Sequence, residues 1–300
     1  DARRAMYNIK PAMLTVGGLF DAEDCYGAWN LYKAIEKQNP GANNKIVMGP
    51  WSHGQWGGRD GSSMGNIRFG SNTSIWYQNT IEIPFFNYYL KGKGDDPNIA
   101  EATIFFSGAN QWKKLNQWPP SETQPRDIYL APDGALSWTF PSYVKSGSYS
   151  EYISDPAHPV PYTEDVHFRR TREYMTDDQR FASRRPDVLT FQTYALEEDL
   201  TLAGPVIANL KVSITGTDAD FVVKIIDVFP DNFQYPESSQ NPPSGGRGAL
   251  MGGYQMLVRG EIMRGKFRNS FEMPEPFKPN KIETVKFDLP DVAHTFKKGH

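Results

Sequence analysis

The sequence predicts an α/β segment followed by an all-β domain, and three observations carry that expectation. Near the start, two short apolar runs, each closed by glycine, flank a stretch with helical periodicity. The cluster Lys91-Gly92-Lys93-Gly94-Asp95-Asp96-Pro97 then interrupts the chain. Beyond about residue 101, β-like runs recur between Pro- and Gly-rich turns, and helical periodicity nearly vanishes. We therefore expect two domains, residues 1–97 and 101–300, each long enough to bury its own core.

The elements follow in order. Residues 10–16, ending at Gly17-Gly18, read as a buried strand. Ala22 to Gln38 reads as a helix, with Tyr26, Trp29, Leu31, Tyr32 and Ile35 near the 3.6 period and a stop at Asn39-Pro40-Gly41. That helix spans roughly 25 Å, a normal crossover between parallel strands. Lys45 to Met48 is the second strand, closed by Gly49. The right-handed crossover rule places both strand ends on one sheet edge, where ligands of such sheets collect. Residues 54–74 read as loop, and 75–90 as a helix that starts or kinks at Pro84. In the second domain the β-like runs are Ala102 to Phe106, Asp127 to Leu130, Val188 to Thr193, Val206 to Ile214, Phe221 to Val228, Val258 to Gly260 and Glu283 to Phe287. Many short antiparallel strands point to a sandwich or jelly roll. Pro236 to Gly248 reads as a long surface loop.

Composition narrows the function classes. A formal charge of -3 and no basic stripe argue against nucleic acid. No window approaches 18 apolar residues, so no membrane-spanning helix is expected. The single cysteine, Cys25, excludes an internal disulfide without fixing the compartment. Aromatic content of 13% suits a β-rich protein with packed loops. The chain opens at Asp1 without Met and stops at a turn, Lys297-Lys298-Gly299-His300. Both ends read as cut, so the lack of a leader is uninformative, and the compartment is left leaning to periplasmic or secreted.

The candidate site lies at the two strand ends. Asp21 follows the first and His53 the second, an order that fits the orienting acid and general base of a triad. The bland reading of Asp21 is a helix N-cap. Glu23 and Asp24 would complement the helix dipole, or hold a cationic group such as a free amine, or join His53 at a metal. No second His stands at ligand-like spacing, so no metal is assigned. Trp51 and Trp56 flank His53 and read equally as pocket wall or core. Gly61-Ser62-Ser63-Met64-Gly65 fits a nucleophile pattern, but Ser63 follows His53 in a loop with no strand before it, so it reads as a decoy. Cys25 reads as a buried structural thiol. His158, His167, His294 and His300 receive no role.

These residues resemble the CocE/NonD-type acyl hydrolases of the peptidase S15 clan. That family includes cocaine esterases, X-prolyl dipeptidyl aminopeptidases and α-amino acid ester hydrolases. The resemblance rests on Gly17-Gly18-Leu19-Phe20-Asp21, Gly49-Pro50-Trp51-Ser52-His53 and Phe85-Phe86-Asn87-Tyr88-Tyr89-Leu90-Lys91-Gly92. It continues through Tyr152 to Pro156, Pro159 to Pro161, Arg184 to Leu189, Leu202 to Val206, Asp218 to Phe221 and Val228 to Asp231, and so covers nearly all of the chain. It implies the C-terminal part of an α/β-hydrolase domain followed by a jelly-roll β-sandwich. It also implies Asp21 as triad acid and His53 as base. Glu23 and Asp24 match two acids of the cluster with which α-amino acid ester hydrolases hold the substrate ammonium, which places the chain nearest that branch. The family's serine, oxyanion-hole Tyr and remaining cluster acid lie upstream of the matched residues. The implied function is serine-dependent hydrolysis of a small acyl ester, amide or short peptide with a free α-amine. The missing N-terminal hydrolase segment would be its partner, with no cofactor, nucleic acid or membrane involved and a homo-oligomer left open. A non-catalytic ligand- or carbohydrate-binding jelly roll is the alternative, and a metallohydrolase built on the acidic cluster is a third.

Overall fold

The computed structural model describes residues 2–142, 148–168, 171, 174–236 and 250–300. The expected loop at Pro236 to Gly248 lies outside them, apart from Pro236.

Strands β1 (Met13–Gly18) and β2 (Asn44–Gly49) pair in parallel, from Met13 opposite Asn44 to Gly18 opposite Gly49. Helix α1 (Cys25–Gln38) joins them. It starts three residues later than its periodicity suggests, because the Asp21 side chain captures the N–H groups of Glu23 and Asp24 and holds that stretch as a turn. Cys25, Ala28, Trp29, Tyr32 and Ile35 form the buried face. Tyr26 belongs to the other face: it is exposed, with the Arg3 guanidinium over its ring.

The expected loop after His53 carries a short hairpin, β3 (Ser63–Met64) with β4 (Ile67–Arg68). A helical rod follows, α2 (Thr73–Tyr77), a π turn at Gln78–Glu82 and α3 (Ile83–Lys91). Pro84 stands at the start of α3, directly after the π turn. Gly92, at φ 59°, closes α3 in the left-handed conformation, and Lys93 N–H reaches back to the Asn87 carbonyl.

Strand β5 (Ala102–Phe106) pairs in parallel with β2, and β6 (Gln111–Leu115) runs antiparallel to β5. The sheet order is β1-β2-β5-β6. The first β-like run past the Gly/Pro cluster thus extends the α/β sheet, and hydrogen bonding continues across the expected boundary at residue 101.

Strands β7 (Tyr129–Leu130) and β8 (Leu136–Ser137) form a small pair, and helix α4 (Arg180–Ser183) precedes the long strands. Val188 to Thr193 forms no strand and contributes one bridge, Gln192 to Ala135. The long strands are β9 (Leu200–Val212), β10 (Asp220–Val228), β11 (Gln255–Arg264) and β12 (Glu283–Phe296). They make two antiparallel ladders, β9–β12 and β10–β11. β12 runs well past Phe287, because its register shifts between Leu289 and Val292 and lets Pro290 pass without a ladder donor. Phe221 and Met263 of one ladder share a core with Val285, Phe287 and Leu289 of the other. The result is a mixed α/β sheet with separate antiparallel sheets, as the sequence predicts at that level. A second core joins the halves: Phe20, Trp29, Ile104 and Phe105 pack with Tyr254, Met256, Leu257 and Ala293.

Candidate active site

The site is built at the carboxyl ends of β1 and β2. Past Gly18 the chain turns, with Leu19 N–H donating to the Gly49 carbonyl and Phe20 N–H to the Trp51 carbonyl. Close approach explains the motif glycines. A Cβ on Gly18 would lie 2.1 Å from the Trp51 carbonyl oxygen, and one on Gly49 would lie 2.5 Å from the Trp51 ring. Both contacts are shorter than any side chain tolerates, so Gly18, Gly49 and Trp51 form one packing unit that fixes the two strand ends together.

This brings Asp21 and His53 into contact across 32 residues of sequence. Asp21 Oδ2 lies 3.0 Å from His53 Nδ1. Asp21 Oδ1 accepts from Glu23 N–H at 2.7 Å and Asp24 N–H at 3.1 Å. Each carboxylate oxygen of Asp21 thus has its own contacts: Oδ1 holds the turn before α1, whose N-cap is Asp24 rather than Asp21, and Oδ2 meets the His53 ring. The Asp21 side chain is buried, whereas the His53 ring is 52% exposed. With Nδ1 donating to Asp21, Nε2 is the nitrogen that carries the lone pair, on a ring that is half exposed.

Asp24 stands closer to the base than the sequence suggests, with Oδ2 3.5 Å from His53 Nδ1 and its side chain 65% exposed. Glu23 is exposed on the same turn. Asp21, Asp24 and His53 each bring one ligand atom within 4.8 Å of the others. Asp21 has both oxygens engaged and His53 Nδ1 is held by one of them, so the arrangement is that of a hydrogen-bonded dyad with a flanking carboxylate.

The remaining candidates separate. Trp51 is fully buried, packs against Trp56, Tyr77 and Trp112, and donates from Nε1 to Thr73 Oγ1 at 2.9 Å. It exposes no surface, so of its two readings, pocket wall or core, this burial favours the core over a substrate contact. Ser63 sits in the β3–β4 hairpin and its carbonyl accepts from Gln55 Nε2 at 3.2 Å. A nucleophile elbow needs a strand-to-helix turn, which a two-residue hairpin cannot supply. Cys25 is buried at the start of α1, where desolvation pushes its thiol up and Arg259 partly opposes the shift. His158 pairs with Asp155 at 2.8 Å on the surface, and His167 is exposed. His294 and His300 both bond Asp227, at 3.0 and 2.8 Å.

Comparison with known proteins fits this division. Residues 88–300 match the model of the X-Pro dipeptidyl-peptidase C-terminal non-catalytic domain, and residues 1–55 match that of the X-Pro dipeptidyl-peptidase S15 family. The chain belongs, by residues 88–300, to the family of X-Pro dipeptidyl-peptidase C-terminal non-catalytic domains. Asp21 and His53 fall in the segment matched by the peptidase model, and His294 falls in the domain described as non-catalytic. Cocaine esterase from a Rhodococcus strain is 28% identical over 86% of the chain and 42% of its own length. A crystal structure of an aminopeptidase from a marine sediment Thaumarchaeota archaeon superimposes with TM-score 0.88 at 37% identity, covering 99% of this chain and 48% of that one. An α-amino acid ester hydrolase gives TM-score 0.87 at 35% identity, with the same coverage. The chain spans about half the length of these relatives, which are hydrolases and esterases.

Proposed function

We propose that this chain supplies the acid and base of a serine acyl hydrolase, and that the part of the relatives' length it does not span carries the nucleophile and oxyanion hole. The observation that carries the reading is the Asp21 Oδ2 to His53 Nδ1 bond at 3.0 Å on a half-exposed ring. In this mechanism a serine Oγ attacks the acyl carbonyl and His53 Nε2 takes its proton. The tetrahedral oxyanion collapses, and the same proton passes from His53 to the departing alcohol or amine. Water then attacks the acyl-enzyme with His53 again as base, and the carboxylic acid leaves. Asp21 keeps the ring in the tautomer that exposes Nε2 and stabilises the imidazolium.

The substrate we assign is an ester, amide or short peptide with a free α-amino group. Glu23 and Asp24 support this, as exposed carboxylates on the turn beside the base, and so does the likeness to an enzyme whose name specifies α-amino acid esters. The two antiparallel ladders are read as the faces of a jelly-roll sandwich beside the site.

The test compares two polypeptides, this chain and one extended by its upstream coding sequence. The extended protein is expected to be labelled by a fluorophosphonate probe and to turn over an activated ester of an α-amino acid. This chain is expected to do neither. Turnover by this chain that disappears in Ser63→Ala would overturn the assignment of the nucleophile.

A further inference from the structure

We propose that Arg259 is a positioning residue for the Asp21–His53 pair, by which the β-rich half holds the turn that carries the acid. The inference rests on the reading of that pair given above. Arg259 belongs to β11, yet its Nη1 donates to the Leu19 carbonyl at 2.8 Å, across 240 residues of sequence. The side chain is buried. Its Nε has no hydrogen-bond partner among the described residues.

A desolvated guanidinium with an orphaned donor is costly, and such a group in a native fold calls for an explanation. The one bond it makes supplies it. The Leu19–Asp21 turn is otherwise tied through its N–H groups, to the Gly49, Trp51 and Gly18 carbonyls. All three ties run to the β1–β2 side. Arg259 engages the Leu19 carbonyl from the β-rich half, two residues before Asp21. Its charge also partly offsets the upward push that burial gives the Cys25 thiol, four residues past Asp21. Arg259 therefore holds the turn that carries Asp21 from the side of the β-rich half, at its first residue. Its removal strips the Leu19 carbonyl of its partner and opens space under the turn, so the carboxylate can withdraw from His53.

The test reads His53 directly in this chain, through the imidazole ¹⁵N shifts and the solvent exchange of the Nδ1 proton. Arg259→Met, Asp21→Asn and Lys33→Met are compared with the parent. Lys33 is the control, because its 2.7 Å bond to Asp291 also ties α1 to the β-rich half without touching Leu19. Arg259→Met is expected to speed Nδ1 proton exchange at least about tenfold, towards the Asp21→Asn value, while Lys33→Met leaves it within about twofold. In the extended enzyme Arg259→Met is expected to lower kcat by about 10- to 100-fold with KM nearly unchanged, the scale of a displacement on the order of 1 Å. If Arg259→Met fails to fold, Arg259→Leu decides: it fills the space without a donor for the Leu19 carbonyl, and an exchange rate equal to the parent's refutes the proposal. Parent-like exchange in a folded Arg259→Met does the same while the dyad stands. If Asp21→Asn itself leaves His53 unchanged, the dyad reading fails first.

Discussion

Two carboxylate–imidazole pairs in this molecule share the same 3.0 Å spacing, Asp21 with His53 and Asp227 with His294. By distance alone the second is the fuller site. Ser107 Oγ lies 2.8 Å from His294 Nδ1, so a serine, a histidine and an aspartate stand in line, and His300 adds a second imidazole on Asp227. The pairs differ in where the second ring nitrogen goes. Both nitrogens of His294 are bonded inside the protein and the ring is fully buried, at the seam where β12 passes β5. His53 has Nδ1 held by Asp21 and its ring is half exposed. A triad needs its hydroxyl and base open to an acyl carbon, so the enclosed cluster fits a structural clamp, and the open pair is the one we propose for chemistry.

The sharpest way to break that distinction is to remove each histidine in the extended enzyme. His53→Ala is expected to lower kcat by on the order of 10⁴- to 10⁶-fold, the scale of losing the base of a serine hydrolase. Its urea midpoint should move little, since the ring is half exposed. His294→Gln should show the reverse, with kcat per folded molecule retained and a clear loss of stability. Parallel kinetics and urea melts on both variants check this, and a catalytic loss confined to His294→Gln would move the site to the seam.

A second test acts on the clamp alone. Asp227→Asn leaves two buried imidazoles facing an amide, and breaking a buried, hydrogen-bonded pair typically costs about 3–5 kcal/mol. The pH dependence has a definite sign. Burial pushes the Asp227 carboxyl up, and the hydrogen bonds from His294 and His300 more than offset it, so it titrates below the ordinary carboxylate value. A depressed folded pKa gives stability that is complete above the unfolded carboxylate range and lost as pH falls through the folded value. The deficit of Asp227→Asn should thus be full at neutral pH and shrink in acid, as the parent protonates. Urea melts at pH 7 and at stepwise lower pH measure this; a deficit constant with pH would remove the charge from the clamp.

The two regions also differ in how far the sequence reveals them. Asp21 and His53 were legible because each closes an apolar run beside a glycine, and a periodic helix of crossover length separates them. The clamp left no local trace: Asp227 and His294 stand 67 residues apart, on strands whose pairing no motif encodes. Arg259 was hidden for the same reason. The run Ala102 to Phe106 was legible as a strand but not as a partner of β2, since an apolar run reads alike in either sheet. Trp51 could be read as pocket or core until its neighbours, Tyr77, Thr73 and Trp112, were in place. The end of β12 was missed because Pro290 signals a stop that a bulge circumvents.

The smallest expected effect concerns the open pair's flank, and it sharpens what the site binds. Glu23 and Asp24 sit on an exposed turn, so their attraction for an ammonium group is screened, and ion pairs in such settings contribute about 0.2–1 kcal/mol. Each of Glu23→Gln and Asp24→Asn in the extended enzyme should then lower kcat/KM for an α-amino ester by up to about fivefold. The des-amino analogue should change by less, and the urea midpoint should hold. Asp24 also lies 3.5 Å from His53 Nδ1, which gives the two variants different signatures. A loss at Asp24 that falls equally on both substrates assigns it to the base, as a second carboxylate steadying the imidazolium. A loss confined to the amine-bearing substrate assigns it to recognition. A drop of thirtyfold or more would mean that substrate and upstream segment bury the pair, because only a desolvated charge pair reaches that scale.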